Sequence, residues 1–137
     1  MVLRKRATIG LILLGSTSCL DVECNNSVLQ DIASPDGRRH AIVFERSCGA
    51  TTGFSTQVSV LTRSRELSGG GNVFVVDDDH RKAPAGPGGG PAVTVRWLDA
   101  RTVEVHYDKR ARVFHQALRH DDTEIRYTSD STSESRP

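Results

Sequence analysis

The sequence lacks an excess of charge of either sign. It carries 18 Lys and Arg against 17 Asp and Glu, and the positive residues are scattered rather than striped, which speaks against nucleic acid as a partner. It lacks any apolar run near the ~20 residues that a bilayer-spanning helix needs, so no lasting transmembrane anchor is expected. It lacks length: 137 residues suit one core and not two of ordinary size. Beyond Cys24 it lacks a sustained 3.6-residue periodicity, which leaves short runs broken by turn signals, the pattern of an all-β domain. It also lacks a G-x-S-x-G turn that would strain a serine into a nucleophile.

What is present begins at the N-terminus. Arg4, Lys5 and Arg6 precede Ala7 to Gly15, an uncharged and mostly apolar run of nine residues, the layout of a secretory signal peptide over 1–18. Removing that segment lowers the 18 cations by three, leaving 15 against 17 acids, or −2. The run ends in Gly15-Ser16-Thr17-Ser18-Cys19, which resembles the lipobox of bacterial lipoproteins, whose cysteine thiol receives diacylglycerol as the signal peptide is cut before it. Small side chains let an extended backbone enter a narrow peptidase site. Ser16 departs from the usual Leu at that position, which keeps ordinary signal-peptidase cleavage near Ser18 as the alternative. A lipid on Cys19 would hold the chain on a membrane surface at roughly 0.8 kcal/mol per buried CH₂. Leu20, in place of an Asp, favours the outer membrane over the inner, so the expected location is exported, in the periplasm or on the outer membrane.

With Cys19 assigned to lipid, Cys24 and Cys48 remain as an even pair in an oxidising compartment and are expected to form a disulfide. Closing that loop restricts the unfolded chain by roughly 3.5 kcal/mol in the chain-entropy model. The competing role for Cys48, a catalytic nucleophile in Ser47-Cys48-Gly49-Ala50, would need a fixed histidine base, and the sequence singles out none.

After a linker at 19–27, the domain is expected over 28–127 as a single antiparallel sandwich or curled meander of about seven strands. Ser34-Pro35-Asp36-Gly37 is a strong turn that should join Val28 to Ala33 with Arg39 to Arg46 as a hairpin. Thr56 to Thr62 follows, and Val73 to Val76 reads as a short strand buried on both faces. Ala83 to Pro91 is too rich in Gly and Pro to pair and reads as a flexible or irregular loop. In Ala92 to Leu98, Val93, Val95 and Trp97 face one way; in Thr102 to Asp108, Val103, Val105 and Tyr107 mirror them, so these two strands make the most secure hairpin. Arg112 to Leu118 and Thr123 to Tyr127 are candidates for a last strand pair, and 128–137 reads as a disordered tail. A complete propeller of four blades at about 40 residues each does not fit the length.

Ser34-Pro35-Asp36-Gly37, the segment Phe44 to Ser59 that contains CGATTGFST, and Gly71-Asn72-Val73-Phe74 together resemble a family of small bacterial exported proteins and lipoproteins known only as a domain of unknown function. The match covers roughly Cys24 to Asp108. The resemblance implies an exported, often lipid-anchored single domain with no assigned chemistry and no catalytic residue.

Two kinds of site deserve weighing. CGATTGFST packs two glycines and four hydroxyls into nine residues; Thr51, Thr52, Ser55 and Thr56 form a candidate loop for a glycan or an anion, against the plainer reading that they satisfy local backbone groups. Asp77-Asp78-Asp79-His80 offers hard ligands for a cation, but its spacing matches no calcium loop. His115 and His120, with Asp121 and Asp122, form a second loose cluster. Neither cluster earns a metal or cofactor assignment. The expected function is a non-enzymatic binding or structural domain of the cell envelope, tethered by lipid and engaging an envelope protein or glycan. The alternatives are a small metal-dependent or hydrolytic enzyme using His80 or the His115 and His120 pair, or an inhibitor of a lysozyme-like enzyme.

Overall fold

A computed structural model describes residues 23–49 and 53–131. Among these the fold is all-β, with nine strands and no helix: β1 (Asn25–Ala33), β2 (Arg39–Ser47), β3 (Ser55–Thr62), β4 (Phe74–Asp77), β5 (Val93–Asp99), β6 (Thr102–Asp108), β7 (Arg112–Gln116), β8 (Arg119–His120) and β9 (Thr123–Asp130). They form two sheets, ordered β1-β2-β3-β4-β7 and β5-β6-β9-β8. One core lies between them. Ala41, Val43, Val58, Val60, Phe74 and Val76 come from the first sheet, and Val93, Val95, Val103, Val105 and Ile125 from the second. The expected sandwich is therefore present.

The alternation read from the sequence holds in the β5–β6 hairpin, where Val95 opposes Val105, Val93 opposes Tyr107 and Trp97 opposes Val103. Arg96 and Glu104 point the other way and form a solvent-facing ion pair at 2.8 Å. Ser34-Pro35-Asp36-Gly37 also closes its hairpin: the Ser34 carbonyl accepts from Gly37 N–H at 2.8 Å, and Gly37 takes the left-handed φ of 69° that glycine accepts without steric cost. At the far end of the same hairpin Cys24 and Cys48 are joined by a disulfide with Cα atoms 4.0 Å apart. It lies one step beyond the last paired residues, Asn25 and Ser47.

The structure departs from the sequence pattern in several places. β1 contains a bulge between Val28 and Gln30, so Leu29 and Gln30 together oppose Val43, and Leu29 turns toward the core while Val28 stays on the outer face. The segment 83–91 is irregular, as expected, yet it does pair once. Ala85 bridges Pro91, Gly86 N–H donates to Gly90 C=O at 2.6 Å, and the glycines are required by close approach, since a Cβ at Gly88 would lie 2.3 Å from a Glu45 carboxylate oxygen. The sheets are not wholly antiparallel, because β6 and β9 run parallel. The proposed last strand pair does not exist as such: β7 crosses to pair with β4 at the edge of the first sheet, and β9 returns to the second. That excursion through the opposite sheet is what reverses the direction of β9 relative to an ordinary hairpin. β9 also runs to Asp130, so Thr128 to Asp130 belong to the sheet and not to a tail, and 132–137 lie outside the described residues. β1 likewise begins at Asn25, inside the span read as linker.

Three polar clamps fix one sheet on the other. The Trp97 indole N–H donates to Ile32 C=O at 2.9 Å. The Arg39 guanidinium pairs with Asp122 in the β8–β9 turn. The Tyr127 hydroxyl lies 2.6 Å from Ala117 C=O and 3.0 Å from Val73 C=O, and its ring, with that of Tyr107, packs on Phe74.

Candidate functional site

A surface groove forms where the connection from β3 to β4, residues 63–73, doubles back over the outer face of the first sheet. β2 is buried on both faces as a result: Ala41 and Val43 face the core, and Ile42 and Phe44, at 3% and 0% exposure, face the connection. The fold-back is held by side chains reaching up from the strands. Asn26 Nδ2 and Arg46 Nη1 both donate to Gly69 C=O at 2.8 Å, and Gln57 Oε1 accepts from Gly71 N–H at 2.6 Å. Only glycine fits at 71, where a Cβ would meet Phe74 C=O at 2.7 Å.

Between this connection and β1 runs a groove of about 490 Å³ whose wall and floor include Val28, Asp31, His40, Ile42, Arg65 and Leu67. His40 is buried at its base. Its Nδ1 lies 2.9 Å from Asp31 Oδ1 and its Nε2 3.1 Å from Arg65 C=O. Both neighbours are acceptors, and a neutral imidazole donates from only one nitrogen, so both bonds are made together when each nitrogen bears hydrogen. Val28, 57% exposed, supplies an apolar patch beside this polar base. Arg63 and Glu66 stand on the rim. The groove can receive a small group with one apolar side and one polar edge.

CGATTGFST is placed in part. Thr51 and Thr52 lie outside the described residues. Ser55 and Thr56 begin β3: the Thr56 hydroxyl is buried and donates to Pro91 C=O at 2.6 Å, while the Ser55 hydroxyl donates to Arg46 C=O at 3.3 Å and accepts from Gln57 Nε2 at 2.8 Å. These two hydroxyls thus serve the local fold. Cys19 also lies outside the described residues. Cys48 is in the disulfide, which leaves no thiol there to act as a nucleophile.

Two acids of the acidic run are paired within the chain. Asp77 takes a two-pronged contact from Arg112, at 2.5 and 3.2 Å, and Asp79 pairs with Lys82 at 2.7 Å. The Lys82 ammonium, first among several contacts, holds the Asp79 carboxyl below the usual carboxylate range. Asp79, His80 and Arg81 adopt successive positive φ values of 46°, 60° and 68°, a left-handed turn that is costly for side-chain-bearing residues. Among the described residues, no group of three or more His, Cys, Asp or Glu is placed to hold a metal ion.

The two late histidines meet at one residue that sequence reasoning passed over. Asn72 pairs its side-chain amide with the β3 backbone, Oδ1 accepting from Val60 N–H and Nδ2 donating to Val60 C=O, both at 2.9 Å. With its amide so oriented, the Nδ2 that lies 3.2 Å from His120 Nε2 can only donate to it. His115 Nε2 lies 3.1 Å from the Asn72 main-chain carbonyl. Arg39, His120, Asp122 and Thr123 border a cavity of about 200 Å³. Neither histidine is paired with a serine or cysteine nucleophile in the described residues. His40 too was missed, because nothing local marks a histidine that a distant loop will roof over.

Comparison with known proteins gives no relative: no family model, no curated protein and no solved structure matches the chain.

Proposed function

We propose that this protein is an exported β-sandwich, lipid-anchored through Cys19 on a membrane surface of the cell envelope, where it serves as a binding or structural domain without chemistry of its own. The observation that carries this reading is the division of the sulfurs. Cys24 and Cys48 are joined, a state suited to an oxidising compartment, and Cys19 is the third and unmatched cysteine, set just after a basic cluster, an apolar run and four small residues.

The binding face in this reading is the groove beside His40, with an envelope glycan or protein segment as occupant. It combines an exposed apolar patch with a fixed polar base, the usual composition of a recognition site. The test is the intact mass of the native protein, with and without reduction. The expected result is a chain beginning at Cys19, heavier by its acyl groups, that gains two hydrogens on reduction. A chain retaining Met1 with three free thiols would reject it.

A further inference from the structure

The second sheet ends on a strand that is only partly covered. Toward β6, β9 presents the backbone of its even-numbered residues: Glu124 N–H donates to Arg101 C=O at 2.7 Å, and Asp130 C=O accepts from Lys109 N–H at 2.9 Å. Alternation turns the N–H and C=O groups of Ile125, Tyr127 and Ser129 to the opposite edge. There Ile125 N–H donates to Leu118 C=O at 3.0 Å, and β8 pairs only with Thr123 and Glu124. At Ala117 the chain has left this edge for the first sheet, where its N–H donates to Val73 C=O at 2.8 Å. Among the described residues nothing pairs with the free side of Arg126 to Asp130. The departure opens a groove of about 700 Å³ alongside, lined by Gln116, Leu118, Ile125 and Tyr127 among others, and Leu118 is 71% exposed.

We propose that this edge pairs with the same edge of a second copy, β9 against β9 antiparallel, about a two-fold axis at Thr128. Three independent features select that register. The free stretch runs from Arg126 to Asp130, and Thr128 is its midpoint. The outward-facing backbone groups belong to Tyr127 and Ser129, and an axis at Thr128 sets each Tyr127 opposite the partner's Ser129, so each couple exchanges two hydrogen bonds. Registers with the axis between two residues would set outward groups against inward ones. The charges then agree as well: Arg126 and Asp130 both project from the outer face of the sheet, where Arg126 already pairs with Glu124 at 2.9 Å and Asp130 lies 3.1 Å from His106, and this register sets each Arg126 opposite the partner's Asp130, so that the two pairs join across the axis. An axis at Tyr127 would instead oppose Glu124 to Asp130, like charges that repel, and would need the part of the edge that Leu118 already fills. An axis at Ser129 would set Thr128 against Asp130 and form no ion pair. In a closed two-fold dimer the edge is consumed and no further copy can add.

Sedimentation velocity on the purified full chain, in a detergent that keeps it dispersed, reads the outcome. The chain is expected to sediment as a dimer at micromolar concentration. Arg126→Asp sets two acids against each other and should weaken the dimer by about ten-fold or more, and the double variant R126D/D130R should restore it, which separates loss of pairing from loss of fold. Thr128 falls at a non-hydrogen-bonded position of the proposed ladder, where facing Cα atoms are about 4.5 Å apart, within reach of a disulfide. T128C should therefore form a reducible dimer on oxidation, while T94C, on the same outer face but on β5, should not. A monomeric wild-type chain overturns the proposal, as does an unchanged dimer for R126D, or a T128C chain that joins a different protein instead of itself.

Discussion

The two sheets of this sandwich are stabilised by different means. In the first, β2 and β3 are covered on both faces, by the core within and by the 63–73 connection outside, and the leading hairpin is pinned at one end by Ser34-Pro35-Asp36-Gly37 and at the other by the disulfide. The second has one buried face; its outer side carries Thr94, Arg96, Glu104, His106 and Arg126 in solvent or half-buried, and its coherence comes from side chains that reach across to the first. The comparison teaches that covalent and loop reinforcement was concentrated where strands pair with sequence neighbours. The sheet that must recruit β9 from a distant part of the chain has no such covalent or loop brace and depends on packing and on the polar clamps of Trp97, Asp122 and Tyr127.

The largest expected effect comes from the residue on which both sheets converge. Phe74→Ala removes a ring at 0% exposure that Tyr107 and Tyr127 pack against, and should cost about 3–5 kcal/mol, measured by chemical denaturation. A loss below about 1 kcal/mol would mean that the two sheets are not coupled through this ring. Next, C24S/C48S should lower stability by roughly 3.5 kcal/mol, and hydrogen exchange in the destabilised protein should rise in β1 and β2 before β5 and β6. Equal loosening of both hairpins would break the contrast between the sheets. Trp97→Phe replaces the indole by a smaller ring and removes the hydrogen bond to Ile32 C=O, a carbonyl that keeps its ladder pairing with Ala41, and should cost about 0.5–1.5 kcal/mol. Arg96→Ala on the open face should move stability by about 1 kcal/mol or less, because its pairing with Glu104 is solvent-exposed.

The smallest effects lie in pH dependence, and the signs differ between the sheets. The Ser34 hydroxyl, with the Arg38 amide, holds the Asp36 carboxyl below its ordinary value. That stabilisation is present above the ordinary carboxylate range and is lost as pH falls through the lowered value, so Asp36→Asn should flatten the acid limb of the stability curve. Burial, together with Tyr107, raises Tyr127 above its ordinary value of 10.0. The raised group favours the fold at lower pH and loses that contribution as pH rises beyond the ordinary tyrosine value, so Tyr127→Phe should reduce sensitivity on the alkaline side. An alkaline limb unchanged in Y127F would remove Tyr127 from that role.

Legibility followed the range of the interaction. The alternation of Val93, Val95 and Trp97 against Val103, Val105 and Tyr107 was readable because hairpin partners are near neighbours and strand period is local. The turn at Ser34 to Gly37 was readable from backbone preference, and the pairing of Cys24 with Cys48 from parity once Cys19 was set aside. The groove at His40 was not readable, since its roof, Arg65 and Leu67, comes from a connection with no strand signal. Asn72, which orients His120 and meets His115, looked like part of a glycine-rich turn.

Local sequence settled that this chain makes strands rather than helices and which residues of the β5–β6 hairpin face inward, because both follow from two-residue periodicity and turn chemistry; the Cys24–Cys48 pairing followed only with Cys19 set aside. The crossing of β7 to the opposite sheet, the return of β9 parallel to β6, the close approach of Gly88 to Glu45 and the uncovered edge of β9 emerged only in the assembled fold. Those features depend on pairings between residues far apart in the chain, whose backbone hydrogen bonds are alike for every sequence and leave no local mark.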